Sequence, residues 1–408
     1  CSLIIGMSWD EPYLYELGKN RFKYLFSLGS YKYQNPIYFA NASYFPGFYD
    51  TLTAFISQMI SRKYETQIHH IINLFFSITA VIGISKISKL LFNKKVSKIV
   101  FLVTFLNPIF FGHMSINPKD TIIAFSNIWA TYFIIRYLQT QHMEVKRKYF
   151  SNMIGIAIGF GLGVRVNFIG TLIPIITIFF LDIFYFKIFK QNKISSKNFF
   201  KDFVKIFFIS YFIMIIFWPE VHQNIFILPF KLIIASLADV SYGTSWGLLD
   251  GTFYKTFNTP GKYLIINFFY KLPEYVLLIY LFFIFLLFND NKFFRKRFEF
   301  FIKKILYLLF IILFPLIIAS IVGLKIHDGL RYFLFLIPYL SIIPGLVIYY
   351  LFHNSKYLLS KIFIFLTIIS FLYFLFNFFS ITPYHYTYIN KFNGNFSDAS
   401  KRFENDYW

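Results

Sequence analysis

The sequence predicts an all-α polytopic membrane protein of about eleven transmembrane helices, the first of them truncated, with amphipathic surface helices in the first outer loop. Three observations predict it. Of 408 residues, 57% are hydrophobic and 24% aromatic, and only 14% are charged. Ten apolar runs, at about 68–85, 99–114, 120–136, 150–164, 166–186, 204–218, 272–288, 305–323, 332–351 and 362–380, approach or reach the length that crosses a bilayer. The connections 86–98, 136–149, 187–205, 289–304 and 353–361, which alternate along the chain, hold 23 of the 40 Lys and Arg residues, so one membrane face is basic.

By the positive-inside rule those connections are cytoplasmic, and the intervening segments lie outside. The net charge of +21 is thereby explained by orientation: the basic residues form short clusters between apolar spans, not the continuous basic and aromatic surface that nucleic acid requires. One Cys excludes an internal disulfide framework or a cysteine metal site. Two outer segments are large, 8–67 and 218–271. With no internal repeat and no linker, residues 1–380 read as one membrane domain, followed by a truncated outer tail, 381–408.

The short run Leu3-Ile4-Ile5-Gly6-Met7 is expected to be the end of the truncated first helix, leading into Trp9-Asp10-Glu11-Pro12 at the outer surface. Adjacent acids before a proline can cap a helix; one of them can equally act as a general base. Glu11–Leu28 and Phe48–Ile60 mix apolar and polar residues at helical spacing, as surface helices do.

The outer connection His113-Met114-Ser115-Ile116-Asn117-Pro118-Lys119-Asp120 has the makings of a turn, Asn-Pro breaking one helix and Asp120 capping the next. A turn does not require His113 or Lys119. Asp120 could also serve as a second acid or as a ligand for a divalent cation. Arg165 stands between two spans with almost no loop, where a guanidinium either snorkels to the interface or forks onto a phosphate. Lys325-Ile326-His327-Asp328-Gly329-Leu330-Arg331-Tyr332 gathers Lys325, His327, Asp328 and Arg331 around an Asp-Gly turn and reads as a second phosphate clamp. The tail carries Tyr384-His385-Tyr386 and ends in Arg402-Phe403-Glu404-Asn405-Asp406-Tyr407-Trp408; so aromatic a tail should fold back on the outer face.

In this order, Asp10-Glu11, Asn117-Pro118-Lys119-Asp120, His327-Asp328-Gly329-Leu330-Arg331-Tyr332 and the Tyr-rich tail resemble the GT-C membrane glycosyltransferases, within them the protein O-mannosyltransferase and lipid A aminoarabinose transferase relatives. The resemblance implies an enzyme that takes a sugar from a polyprenyl-phosphate carrier and transfers it, with inversion, to a protein, lipid or glycan acceptor. It implies no nucleotide and leaves a divalent metal open. Asp10 and Glu11 correspond to the family's catalytic acids, with Asp10 as base and Glu11 orienting it or the sugar. Arg165, His327, Arg331 and Lys119 would hold the donor phosphate, and His113, Asn117, Asp328 and Tyr386 would line the substrate site. The expected location is a bacterial inner membrane, among membrane lipids, with the site facing the periplasm. A transporter or flippase of lipid-linked saccharides is the alternative, but such proteins keep ionisable groups near mid-span, where this chain has almost none.

Overall fold

The computed structural model describes all residues except 1, 9, 29, 34–42, 61, 191–193, 239–245, 324, 355–356, 395 and 405–408, so Trp9 and the closing Asn405–Trp408 segment lie outside the described residues. Eighteen α-helices and one two-stranded hairpin are described. The first outer segment holds α1 (Glu11–Phe26) and α2 (Phe48–Ile60), the two expected surface helices. Then come α3 (Glu65–Leu91), α4 (Lys94–Phe105), α5 (Pro108–Ile116), α6 (Pro118–Gln139), α7 (Glu144–Leu162), α8 (Phe168–Leu181) and α9 (Ser196–Ile216). The second outer segment carries α10 (Leu228–Ala238), the antiparallel hairpin β1 (Trp246–Leu249) and β2 (Thr252–Lys255), and α11 (Tyr263–Lys271). The remainder is α12 (Glu274–Asn289), α13 (Asn291–Arg297), α14 (Phe301–Val322), α15 (Ile337–Leu340), α16 (Ile342–His353), α17 (Leu358–Ser380) and α18 (Phe396–Arg402).

Six helices are long and apolar enough to cross a membrane: α3, α6, α8 with its extension to Phe186, α14, the stretch Arg331–His353, and α17. Two bent pairs, α4 with α5 and α11 with α12, bring this to eight among the described residues. The other two expected spans are α7 and α9, which carry Lys146, Arg147 and Lys148, and Lys201, Asp202 and Lys205, in their first halves. Among the described residues, the expected end of a truncated first helix does not appear. Ser2–Ile5 form turns and a bend, because Ser8 and Glu11 exchange capping bonds that start a new helix at Glu11, ahead of Pro12. The run 99–114, read as one span, is broken by 66° between α4 and α5, where Pro108 lacks an N–H and the Asn107 side chain caps α5 through Phe110 N (3.1 Å).

Where apolar surface faces lipid on one side and protein on the other, tight packing holds helices together. Gly155 and Gly159 of α7 leave room for Ile209 and Ile213 of α9: a Cβ at either glycine would sit 2.9 or 2.8 Å from the facing isoleucine. The basic connections meet at one end of the bundle. Phe92 packs on Phe298 (5.2 Å), the Tyr350 hydroxyl donates to Asp290 (2.7 Å), and Arg147 pairs with Asp202, which also accepts from Tyr137. The opposite end is closed by the outer segments: Gly47 N donates to Phe217 O (2.7 Å), Phe48 N to Gly163 O (2.9 Å), and Trp218 Nε1 to Ser43 O (2.8 Å). The tail folds back there too, with Tyr388 donating to Glu274 and Asn390 bonding the carbonyls of Phe269, Tyr270 and Leu272.

Candidate active site

At the end opposite the basic connections, Arg165 and Arg331, from two segments far apart in the chain, converge on Asp120. The residue lies in the first turn of α6, but it is Asn117 that caps the helix, its side-chain oxygen accepting Asp120 N–H (3.2 Å). The Asp120 carboxylate is thereby left for other partners. Arg165 Nη1 lies 3.0 Å from its Oδ1; Asn117 Nδ2 donates to Oδ2 (2.9 Å), and Arg331 Nε stands 3.9 Å from the same oxygen. Arg165 is therefore turned inward onto the site and does not snorkel along the interface.

Arg331 reaches a second acid, its Nη1 lying 3.3 Å from Asp328 Oδ2, which also meets His327 Nε2 at 3.2 Å. Asp328 and Gly329 both have positive φ (59° and 67°), the backbone of a tight turn that folds His327 and Arg331 toward one another. The Tyr332 ring lies beneath both guanidinium groups, 5.5 Å from Arg165 and 4.7 Å from Arg331. Arg165 Nε and His327 Nδ1 are buried and meet no hydrogen-bond partner among the described residues. Burial, then the Arg331 charge, pushes the His327 pKa down to about 4, so at neutral pH His327 brings a hydrogen bond and Arg331 brings the charge. Burial raises the Asp328 pKa, against the pull of Arg331.

Asp10 is at the N-cap position of α1, yet its side chain makes no capping bond. Its charge is felt at Lys119, His327, Asp328 and Arg331, which places the carboxylate beside this cluster. Lys119 is packed over the Phe45 ring, 5.5 Å away. Glu11 points elsewhere: it is 2% exposed, accepts Ser8 N–H, and pairs with His70 Nε2 (2.8 Å). His113 is buried behind Asn117 (3.4 Å) and 6.1 Å from the Tyr386 ring. The tail comes this close because residue 112 is glycine; a Cβ there would fall 2.1 Å from Tyr386 N. Both Asp120 oxygens are taken up by an amide and two arginines, a donor set that does not fit a divalent cation on this carboxylate. Among the described residues, no group of three or more His, Cys, Asp or Glu could hold a metal ion.

The same architecture recurs among solved structures. The chain aligns with ArnT from Cupriavidus metallidurans bound to undecaprenyl phosphate at a TM-score of 0.57 and 13% identity, over 85% of this chain and 57% of that one. It aligns with the apo Archaeoglobus fulgidus oligosaccharyltransferase at 0.55 and 12% identity, over 95% and 55%. With the archaeal oligosaccharyltransferase AglB, in complex with an inhibitory peptide and a dolichol-phosphate, the values are 0.52 and 14%, over 94% and 52%. The chain has the GT-C fold. It spans little more than half the length of these structures. No family model matches the sequence, and no curated protein sequence does either.

Within this GT-C fold, several charged groups had no assigned part in the sequence reading. Arg21 is fully buried and binds Asp50 (3.3 Å), Glu220 (3.1 Å) and Phe45 O (2.6 Å), locking α1, α2 and the 218–221 segment into one outer layer beside Lys119. Burial raises the Asp50 pKa, opposed by Arg21 and then Lys119. Lys271 and Glu404 stand behind the 327–331 turn. The hint in the sequence was that each is a charge amid apolar or aromatic neighbours in a segment expected to lie outside.

Proposed function

We propose that the chain is an inverting glycosyltransferase that moves a sugar from a polyprenyl-phosphate carrier to a hydroxyl on a protein, lipid or glycan acceptor. One observation carries this reading: Asp10 shares one end of the bundle and a single cluster with Lys119, Arg165, His327 and Arg331, which arrive from segments far apart in the chain. That ArnT and AglB, of the same fold, are described with undecaprenyl phosphate and a dolichol-phosphate supports a lipid-linked donor.

The acceptor oxygen attacks the anomeric carbon from the side opposite the phosphate, and Asp10 takes the hydroxyl proton. The bond from that carbon to the phosphate oxygen breaks, its electron pair leaving with the lipid phosphate. Arg165 and Arg331 hold that phosphate and stabilise its growing charge, aided by Lys119 and by the one N–H of the neutral His327 ring. Glu11, tied to Ser8 and His70, fixes the start of α1 and so aims its neighbour. Asp120 is the counter-ion that aligns the two arginines. The basic connections face the cytoplasm, and the site opens to the other side.

Asp10→Asn tests the reading. With fold and membrane insertion intact, transfer from a labelled polyprenyl-phosphate sugar should fall by roughly 10²-fold or more. Near-normal turnover would remove Asp10 from the base role. A flippase would leave no new glycosidic bond when the purified wild type is given donor and acceptor.

A further inference from the structure

The turn that carries His327 and Arg331 rests on the C-terminal tail, through Glu404. Gly329 N–H donates both to Glu404 Oε2 (3.2 Å) and to the Tyr263 hydroxyl oxygen (2.7 Å), and the Tyr263 hydroxyl donates in turn to Oε2 (2.7 Å). The other carboxylate oxygen accepts Leu248 N–H of β1 (3.1 Å), and Lys271 Nζ donates to the Glu404 carbonyl (3.3 Å). One residue thus joins the hairpin, α11 and the clamp turn. The approach is close: a Cβ on Gly329 would lie 2.3 Å from Lys271 Nζ. The preceding residue is held by the same outer layer, since Tyr254 and Thr259 hydroxyls both donate to Ile326 O (3.1 Å each). The tail itself is fixed by a bridge between Phe403 and Leu249, by Gly251 N–H to Arg402 O (3.1 Å), and by Arg402 Nε to Asp250 (2.8 Å).

We propose that Glu404 is a positioning residue for donor use: it sets the 327–331 turn from behind, so that the clamp is assembled only when the tail is docked. This rests on the glycosyltransferase reading for its effect on turnover, though not for its effect on the turn. The contacts of the Glu404 carboxylate are to Gly329, Tyr263 and Leu248, behind the turn. Because both of its carboxylate oxygens accept from fixed donors, a glutamine in either orientation turns an N–H against one of those donors, whereas an aspartate keeps the charge but draws it back by one methylene.

The experiment uses the full chain in detergent, with Glu404→Gln, Glu404→Asp and the milder Tyr263→Phe. Hydrogen exchange across residues 326–331 should quicken at least tenfold in E404Q, less in E404D and Y263F, while exchange in α3 and α6 stays as in the wild type. The KM for a labelled polyprenyl-phosphate sugar should rise roughly tenfold in E404Q, with kcat changing less than twofold and partial recovery in E404D. Unchanged exchange at 326–331, or a fall in kcat at constant KM, overturns the assignment. The exchange arm reads the turn directly, so a wild type that transfers no sugar would refute the function and leave the exchange result to decide on Glu404.

Discussion

Replacing Asp120 by asparagine isolates the charge on which the clamp depends. The carboxylate is 4% exposed and faces Arg165 (side chain 16% exposed, 3.0 Å) and Arg331 (8% exposed, 3.9 Å). Asparagine keeps the shape and one acceptor but leaves two guanidinium groups around one Tyr332 ring without their shared anion. Removing one partner of a buried ion pair costs about 3–5 kcal/mol. Arg165 retains some solvent and the second contact is long, so the lower end, about 3 kcal/mol, is the expected loss. A lipid phosphate would bring the missing charge back. The unfolding midpoint of purified D120N should therefore lie well below the wild type without lipid, and a short-chain polyprenyl phosphate should close at least half of that gap, whereas the uncharged polyprenol should not. If the gap were the same with and without the phosphate, the arginines would not be where the donor binds. If there were no gap at all, Asp120 would not be what aligns them.

His327 gives a pH dependence with a defined sign: in the unfolded chain it takes up a proton below about pH 6.5, but in the fold only near pH 4, so stability is full above pH 6.5 and falls as the pH drops toward 4. H327Q should flatten that part of the unfolding midpoint against pH, and parallel curves would show that His327 is not buried beside Arg331. Gly112→Ala drives a Cβ into the Tyr386 backbone, which cannot rotate away, and should cost about 1–3 kcal/mol in unfolding free energy while loosening the tail; an unchanged midpoint would mean that the tail does not lie on α5. A chelator should leave transfer by the purified protein unaltered, and restoration of lost activity by a divalent cation would return a metal to the mechanism.

Much of the fold was legible because a bilayer leaves few choices. A run of apolar residues near twenty long must become helical so that its backbone bonds are internal, and each of the ten runs does so, 99–114 in two pieces and 332–351 as consecutive short helices. The amphipathic stretches at 11–28 and 48–60 were legible for a related reason, their 3.6-residue period having no other outlet than α1 and α2. The misreadings fall where local chemistry cuts across hydropathy. Leu3 to Met7 are apolar enough for a helix end, but the Ser8–Glu11 capping pair and Pro12 start the helix later. At Asn107-Pro108 the same dipeptide that ends α5 at Asn117-Pro118 breaks a span that averages as one apolar window.

The site was legible as a list and not as a circuit. The sequence places Asp10, Lys119, Asp120, Arg165, His327 and Arg331 on one face, because helix ends alternate; it does not join them, because Asp120, which both arginines face, lies 45 positions from Arg165 and 211 from Arg331 and nothing periodic links them. Pairing decides chemistry. Asp120 carries the same carboxylate whatever it faces, and its surroundings come from the fold: Asn117 takes over the cap of α6, and the acid is left to Arg165 and Arg331. Glu404 follows the same logic in reverse. It looks like one more charge in an aromatic tail until Gly329, Tyr263 and Leu248 are seen to donate to it, and then a residue 73 positions from Arg331 becomes the support on which the clamp is set.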